Sequence, residues 1–175
     1  MEKVYNTTVN IESVGKMVTL EGWVQKKRDL GGLIFIDLRD RTGIIQLVIN
    51  PQDKVYELAN TLKSEYVIKV IGKVVERQSK NPNLETGDIE IEVQELEILN
   101  TCEELPFTIE DNTNALEDTR LKYRYLDIRR NKLKKNLFLR SEILHYLRNK
   151  MYDLGFIEVQ TPILTASSPE GARDF

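Results

Sequence analysis

Residues 33–46, LIFIDLRDRTGIIQ, decide the fold. With a period of two, Ile34, Ile36 and Leu38 share one side of an extended chain, while Leu33, Phe35, Asp37 and Arg39 share the other. An aromatic ring therefore sits on the polar side of a strand. After the turn Arg41-Thr42-Gly43 a second strand points Ile45, Leu47 and Ile49 one way, and turns Gln46 the other way beside Ile44 and Val48. A ring and an amide offered together on a sheet face suit a flat ligand that stacks and hydrogen-bonds, and a nucleic-acid base is one. The alternative is that a loop or helix covers Phe35 and the ring only packs.

Working outward, Val18–Gln25 reads as the strand before this pair, with Leu20 and Val24 inward and Gly22 easing a bend. The next residues, Lys26-Lys27-Arg28 and Asp29-Leu30-Gly31-Gly32, read as a turn-rich connection. Three adjacent cations there form either a solvated edge or a grip for phosphates and base edges. Beyond Pro51, the residues Val55, Leu58, Ala59 and Leu62 fall at helical spacing. Tyr66–Arg77 returns to strand, a loop through Asn81 follows, and in the last strand Ile89, Ile91 and Val93 alternate with Glu90, Glu92 and Gln94. Three strands, a helix and two strands is the order of a five-stranded OB barrel, whose second and third strands form the usual nucleic-acid-binding face. The expected fold is mainly β, with the barrel over residues 1–104. Phe35 and Gln46 lie on its second and third strands.

Composition sets limits on partners. The 175 residues carry 25 Lys and Arg against 28 Asp and Glu, so attraction to a polyanion must be local rather than global. A single cysteine, Cys102, rules out an internal disulfide, and with one histidine a zinc site is not expected. No signal-peptide-like apolar run opens the chain and no stretch is apolar enough to span a membrane, so a cytoplasmic protein without membrane contact is expected.

Past residue 104 the sequence becomes polar around Pro106, and residues 105–130 read as a hinge or linker. Its end is basic: Arg120, Lys122, Arg124, Arg129, Arg130, Lys132, Lys134 and Lys135 cluster with Asp127 among them, either the solvated start of a helix or a patch that touches a phosphate backbone. A helix is expected over Asn131–Asp153, with Leu137, Leu144, Leu147, Met151 and Leu154 as a packing seam and Gly155 as its stop. A short strand, Phe156–Thr161, should follow, ending at Pro162. One helix and one strand bury little core, so residues 131–175 read as the start of a larger, truncated domain.

The stretches GWVQKKRDLGGLIFIDLRDRTGIIQLVI, RLKYRYLDIRR and GFIEVQTPILTASSPEGARDF resemble the class II aspartyl-tRNA synthetases of bacterial type, in their amino-terminal portion. The resemblance implies an OB-fold anticodon-binding domain, a hinge, and the first class-defining motif of a catalytic domain. It implies that Phe35 stacks on the middle anticodon base while Gln46 and Arg28 bond its edge. It places Glu90 toward the first base, and Arg77 and Asn81 near the third. Pro162 corresponds to the proline of the first motif, at the family's homodimer interface, and Glu170 to a loop that closes on the aspartate site. The implied partners are the anticodon arm of the aspartate tRNA and, for the full-length enzyme, aspartate, ATP and Mg2+. None of the cofactors is expected on this portion, which should be inactive by itself. Two other readings remain: a stand-alone OB protein that binds tRNA or single strands without catalysis, and a structural interaction module.

Overall fold

The computed structural model describes residues 3–163. Two compact units divide the chain, Met1–Glu103 and Glu104–Phe175. The first is a closed five-stranded barrel with strand order β1-β2-β3-β5-β4. Its strands are β1 (Met17–Leu30), β2 (Leu33–Arg39), β3 (Ile44–Ile49), β4 (Val67–Glu76) and β5 (Ile89–Asn100), with the short helix α1 (Tyr56–Thr61) between β3 and β4.

Alternation does what the sequence says in β2: Ile34, Ile36 and Leu38 are fully buried while the residues between them are not. Leu20, Val24, Ile45, Leu47, Ile49, Ile68, Val70, Val74, Ile89 and Ile91 complete the interior, and Ala59 and Leu62 at α1 join it. The helix is shorter than its apolar spacing suggests, and Leu58 is partly out in solvent. Val55, Ala59 and Leu62 of that stripe meet the barrel.

β1 corrects the expected turn-rich connection at residues 26–32, because the strand continues to Leu30. Residues 17–23 pair with β4 and residues 23–30 with β2, the β2 register shifting at a bulge between Val24 and Lys26. A bulge bends and twists a strand, so one strand serves two neighbours around a small barrel. Glycine at 22 is required by proximity, since a Cβ there would stand 2.4 Å from the carbonyl oxygen of Arg39. The hairpin to β2 closes in two residues, Gly31 and Gly32, with φ of +68° and +91°. Two successive positive φ values define the tight turn that matches strand twist, and glycine takes them without strain.

β3 and β5 close the barrel by parallel pairing of Leu47 with Ile91 and Val48 with Glu92. Thr86 adds a hydrogen bond from Oγ1 to the carbonyl of Ile44, at 2.6 Å. The β2–β3 turn is fastened to the chain start. Asp40 accepts from the backbone N–H of Asn6 at 2.8 Å, the N–H and hydroxyl of Thr42 at 2.7 Å each, and the N–H of Gly43 at 3.0 Å. Asn6, buried in a 3-10 turn, donates in return to the carbonyls of Leu38 and Gly43.

In the second unit, the region expected to be a loop-like hinge holds two short helices, α2 (Glu117–Lys122) and α3 (Arg124–Asp127). Asp127 is not a solvated acid among cations; it is fully buried. It accepts from Arg124 Nη1 at 2.6 Å and from Arg130 Nε at 2.7 Å, and Arg130 reaches on to the carbonyl of Asp111 at 3.2 Å. The hinge thus holds a buried ion-paired group, and Phe107 and Leu126 are also buried in this region.

Helix α4 (Asn131–Asp153) has the expected bounds. Its end is a Schellman motif: Gly155, at φ +85°, donates to Tyr152, and Phe156 donates to Met151. Leu137, Leu144, Leu147, Met151 and Leu154 are all exposed. The strand expected over Phe156–Thr161 is absent, because an extended segment becomes a strand only beside a partner and none pairs with it among the described residues. No helix among those residues is long and apolar enough to cross a membrane.

Burial disfavours the charged form of Asp40, but the hydrogen bonds from Asn6, Thr42 and Gly43 outweigh it and hold the carboxyl below its ordinary range. A lowered folded-state pKa means that this carboxylate contributes stability above its unfolded-state pKa and loses it as pH falls through the folded-state value. Asp40→Ala should therefore cost about 1–3 kcal/mol at neutral pH. The difference from the parent should shrink in acid, as read from chemical denaturation across pH. Asp127→Ala strands two arginine partners and should destabilise residues 104–132 by about 3 kcal/mol, measured as lost amide-exchange protection there.

Candidate nucleic-acid interface

Phe35 is half-exposed and lies outside the hydrophobic core, as its place in the alternation requires. Strand register surrounds it with hydrogen-bonding groups. Arg28 of β1 stands opposite Phe35, and Lys26 stands opposite Asp37. On the other flank Val48 of β3 is opposite Phe35 and Gln46 is opposite Asp37. The three cations of β1 separate by parity, since Lys27 pairs with Ile36 and its Nζ donates to the carbonyl of Asn60. Burial lowers the Lys27 pKa, with Asp29 opposing. Lys26 and Arg28 keep the parity of the Phe35 side.

The polar side chains here form one connected chain. Arg28 Nη2 donates to Asp37 Oδ1 at 2.5 Å and, at a longer 3.4 Å, to Gln46 Oε1. Gln46 Nε2 donates to Glu90 Oε2 at 2.7 Å, and Arg77 Nε stands 3.9 Å from the same oxygen. Gln46 is 6% exposed. Because arginine only donates and a carboxylate only accepts, these neighbours fix which way the amide faces. The Nε atoms of Arg28 and Arg77 are buried without a hydrogen-bond partner. A buried donor without a partner among the described residues costs about 1–3 kcal/mol, a cost the polar chain carries at both arginines.

The structure thus brings together Arg28, Phe35, Gln46, Arg77 and Glu90, five of the residues marked by the sequence. Asn81 lies on the β4–β5 loop: its Oδ1 accepts from the N–H of Asn83, and its N–H donates to the carbonyl of Gly87. Pro162 is exposed beyond α4, and Glu170 lies outside the described residues. Sequence reasoning left Asp37 without a role. Its signal was available, since it shares the face of Phe35 and only Ile36 separates them.

An open sheet face with a ring, an ordered amide and flanking cations defines a nucleic-acid-binding OB barrel, and comparison with known proteins agrees. Residues 18–99 match the family "OB-fold nucleic acid binding domain", and residues 116–175 match "tRNA synthetases class II (D, K and N)". The particular kinship is with aspartate–tRNA ligases. Aspartate–tRNA ligase 2 of Streptococcus mutans is 53% identical over 175 residues, which cover 98% of this chain and 30% of the relative's length. The chain corresponds to the amino-terminal portion of such relatives. Asparaginyl-tRNA synthetase from Pyrococcus horikoshii, complexed with asparaginyl-adenylate, superposes with a TM-score of 0.81 at 32% identity, over 98% of this chain and 39% of the other. Aspartyl tRNA synthetase from Entamoeba histolytica, at 20% identity and a TM-score of 0.86, shares the fold.

Loss of one base stack costs on the order of 1–3 kcal/mol. Phe35→Ala should weaken binding of a single-stranded RNA loop by about tenfold. Its melting temperature should stay within a degree or so of the parent, because the ring adds little to the core. Fluorescence anisotropy and thermal unfolding of the same samples check both.

Proposed function

We propose that this chain is the tRNA-recognition portion of an aspartate–tRNA ligase, the enzyme that joins aspartate to its tRNA using ATP. The barrel, residues 1–104, reads the anticodon; residues 105–130 are the hinge; residues 131–175 begin the class II catalytic domain. The observation that carries this reading is the half-exposed Phe35 beside an amide whose orientation is fixed by Arg28 and Glu90. The relatives' names and the two family segments support it.

In this reading the middle anticodon base stacks on Phe35, with Arg28 and Gln46 at its edge. Glu90 faces the first base, where a carboxylate accepts from a guanine-type donor. Arg77 lies near the third base, with Asn81 shaping the loop beside it. Pro162 and the exposed apolar side of α4 belong to a homodimer interface, and Glu170 closes over aspartate in the full-length enzyme. That enzyme works in the cytoplasm with ATP and Mg2+. Among the described residues no group of three or more His, Cys, Asp or Glu could hold a metal ion, so no step is assigned to Mg2+ here. The 175 residues should bind tRNA without supporting aspartate-dependent exchange of pyrophosphate into ATP.

Base-edge contacts discriminate between sequences, whereas phosphate contacts hold all RNA alike. Competition between the aspartate-tRNA anticodon hairpin and hairpins altered at the first anticodon base tests the assignment. Glu90→Ala should reduce first-base discrimination by about tenfold, each good edge contact carrying about 1–3 kcal/mol. Equal weakening toward both RNAs would show that Glu90 reads no base.

A further inference from the structure

Asp37 is the one member of the polar chain to which the anticodon reading gives no base. It stands between the ring and the amide, sharing the Phe35 face of β2 and opposing Gln46 on β3. Its carboxylate is mostly covered, with 19% of the side chain exposed, and its partner Arg28 is exposed at 38%. Arg28 has long, rotatable arms and two kinds of RNA group to choose from. A phosphate would attract it as strongly as a base edge, and phosphate contacts carry no sequence information.

We propose that Asp37 is a positioning residue for anticodon discrimination: it holds Arg28 Nη2 beside Gln46 Oε1, so that the guanidinium meets the middle base and not the RNA backbone. The proposal rests on the anticodon reading above. Two features of the site support it. The tether engages Nη2 while 38% of the Arg28 side chain stays exposed, so the guanidinium is held in place with part of its fork still open to a ligand. A carboxylate on this face also repels phosphate, which keeps the backbone from the position Arg28 would otherwise seek.

Energetics separate this role from a structural one. Burial raises the Asp37 pKa, with Arg28, Lys26 and Arg77 opposing. A raised pKa means the folded state holds the proton more tightly than the unfolded chain does, so the ionised carboxylate weakens the fold at pH values above the unfolded-state pKa. A neutral amide of the same shape should relieve that burden. A residue kept for stability would behave in the opposite way.

The test uses this chain and two RNA hairpins, the aspartate-tRNA anticodon loop and the same loop with its middle base exchanged. For Asp37→Asn the ratio of the two affinities should fall by about tenfold, the scale of one edge contact. Affinity for the exchanged hairpin should hold or rise as Arg28 is freed for phosphate. The melting temperature should not fall, and Asp37→Glu should restore part of the ratio. With Arg28→Ala already present, Asp37→Asn should change the ratio no further. The proposal is overturned if Asp37→Asn keeps the parent ratio, if it acts equally without Arg28, or if it melts well below the parent. A parent chain that cannot tell the hairpins apart overturns the anticodon reading, and this inference with it.

Discussion

The hydrogen bond from Gln46 to Glu90 spans the seam at which the barrel closes, one residue from the pairing of Leu47 with Ile91. Gln46 is almost completely buried, so both ends of its amide need partners, and only closure of the seam brings β5 near enough to supply one. The same closure sets the Phe35 ring, the Arg28 fork and the Glu90 carboxylate on one continuous face. A barrel open at β3 and β5 would keep the ring but lose the ordered edge beside it. Geometry and chemistry therefore depend on a seam that backbone pairing alone makes short.

This face satisfies most of its own hydrogen bonds before any RNA arrives. Arg28 is held by Asp37, Gln46 by Arg28 and Glu90, and Glu90 attracts Arg77. A base edge must therefore replace bonds already made, and the net gain from each replacement is small. A wrong base, by contrast, breaks the same bonds and returns nothing. Such an arrangement favours discrimination over tightness, because a buried group left unpaired is penalised more than a paired one is rewarded.

Much of the barrel was legible in the sequence because period-two alternation is a local signal. Ile34, Ile36 and Leu38 against Phe35 and Asp37 give the face, and Gln46 among Ile45 and Leu47 gives its neighbour. What escaped reading was set by partners distant in the chain. β1 runs through Lys26-Lys27-Arg28 because β2 lies alongside, and charged residues there look like a loop end when read singly. Asp127 reads as one acid in a basic cluster, and only the fold shows it buried between Arg124 and Arg130. Phe156–Thr161 has strand composition but no strand beside it among the described residues, and composition cannot supply a partner. Asn81 shows a further limit: resemblance marks it for a base, and the loop that carries it is shaped by bonds to Asn83 and Gly87 that the sequence does not display.

The parallel seam has a kinetic consequence. The β1–β2, β2–β3 and β4–β5 pairings join strands consecutive in the chain, whereas β1 reaches β4 across β2, β3 and α1, and β3 reaches β5 across α1 and the whole of β4. Closing a long loop costs more chain entropy than closing a short one, so contacts of large sequence separation are slow to form. The seam's few backbone pairs recover that cost only when the strands on either side are already in place. Phe35 and Arg28 can meet within a single hairpin, but Gln46 and Glu90 meet only on closure. The stacking platform is thus a product of local pairing, whereas the edge beside it exists only in the closed barrel.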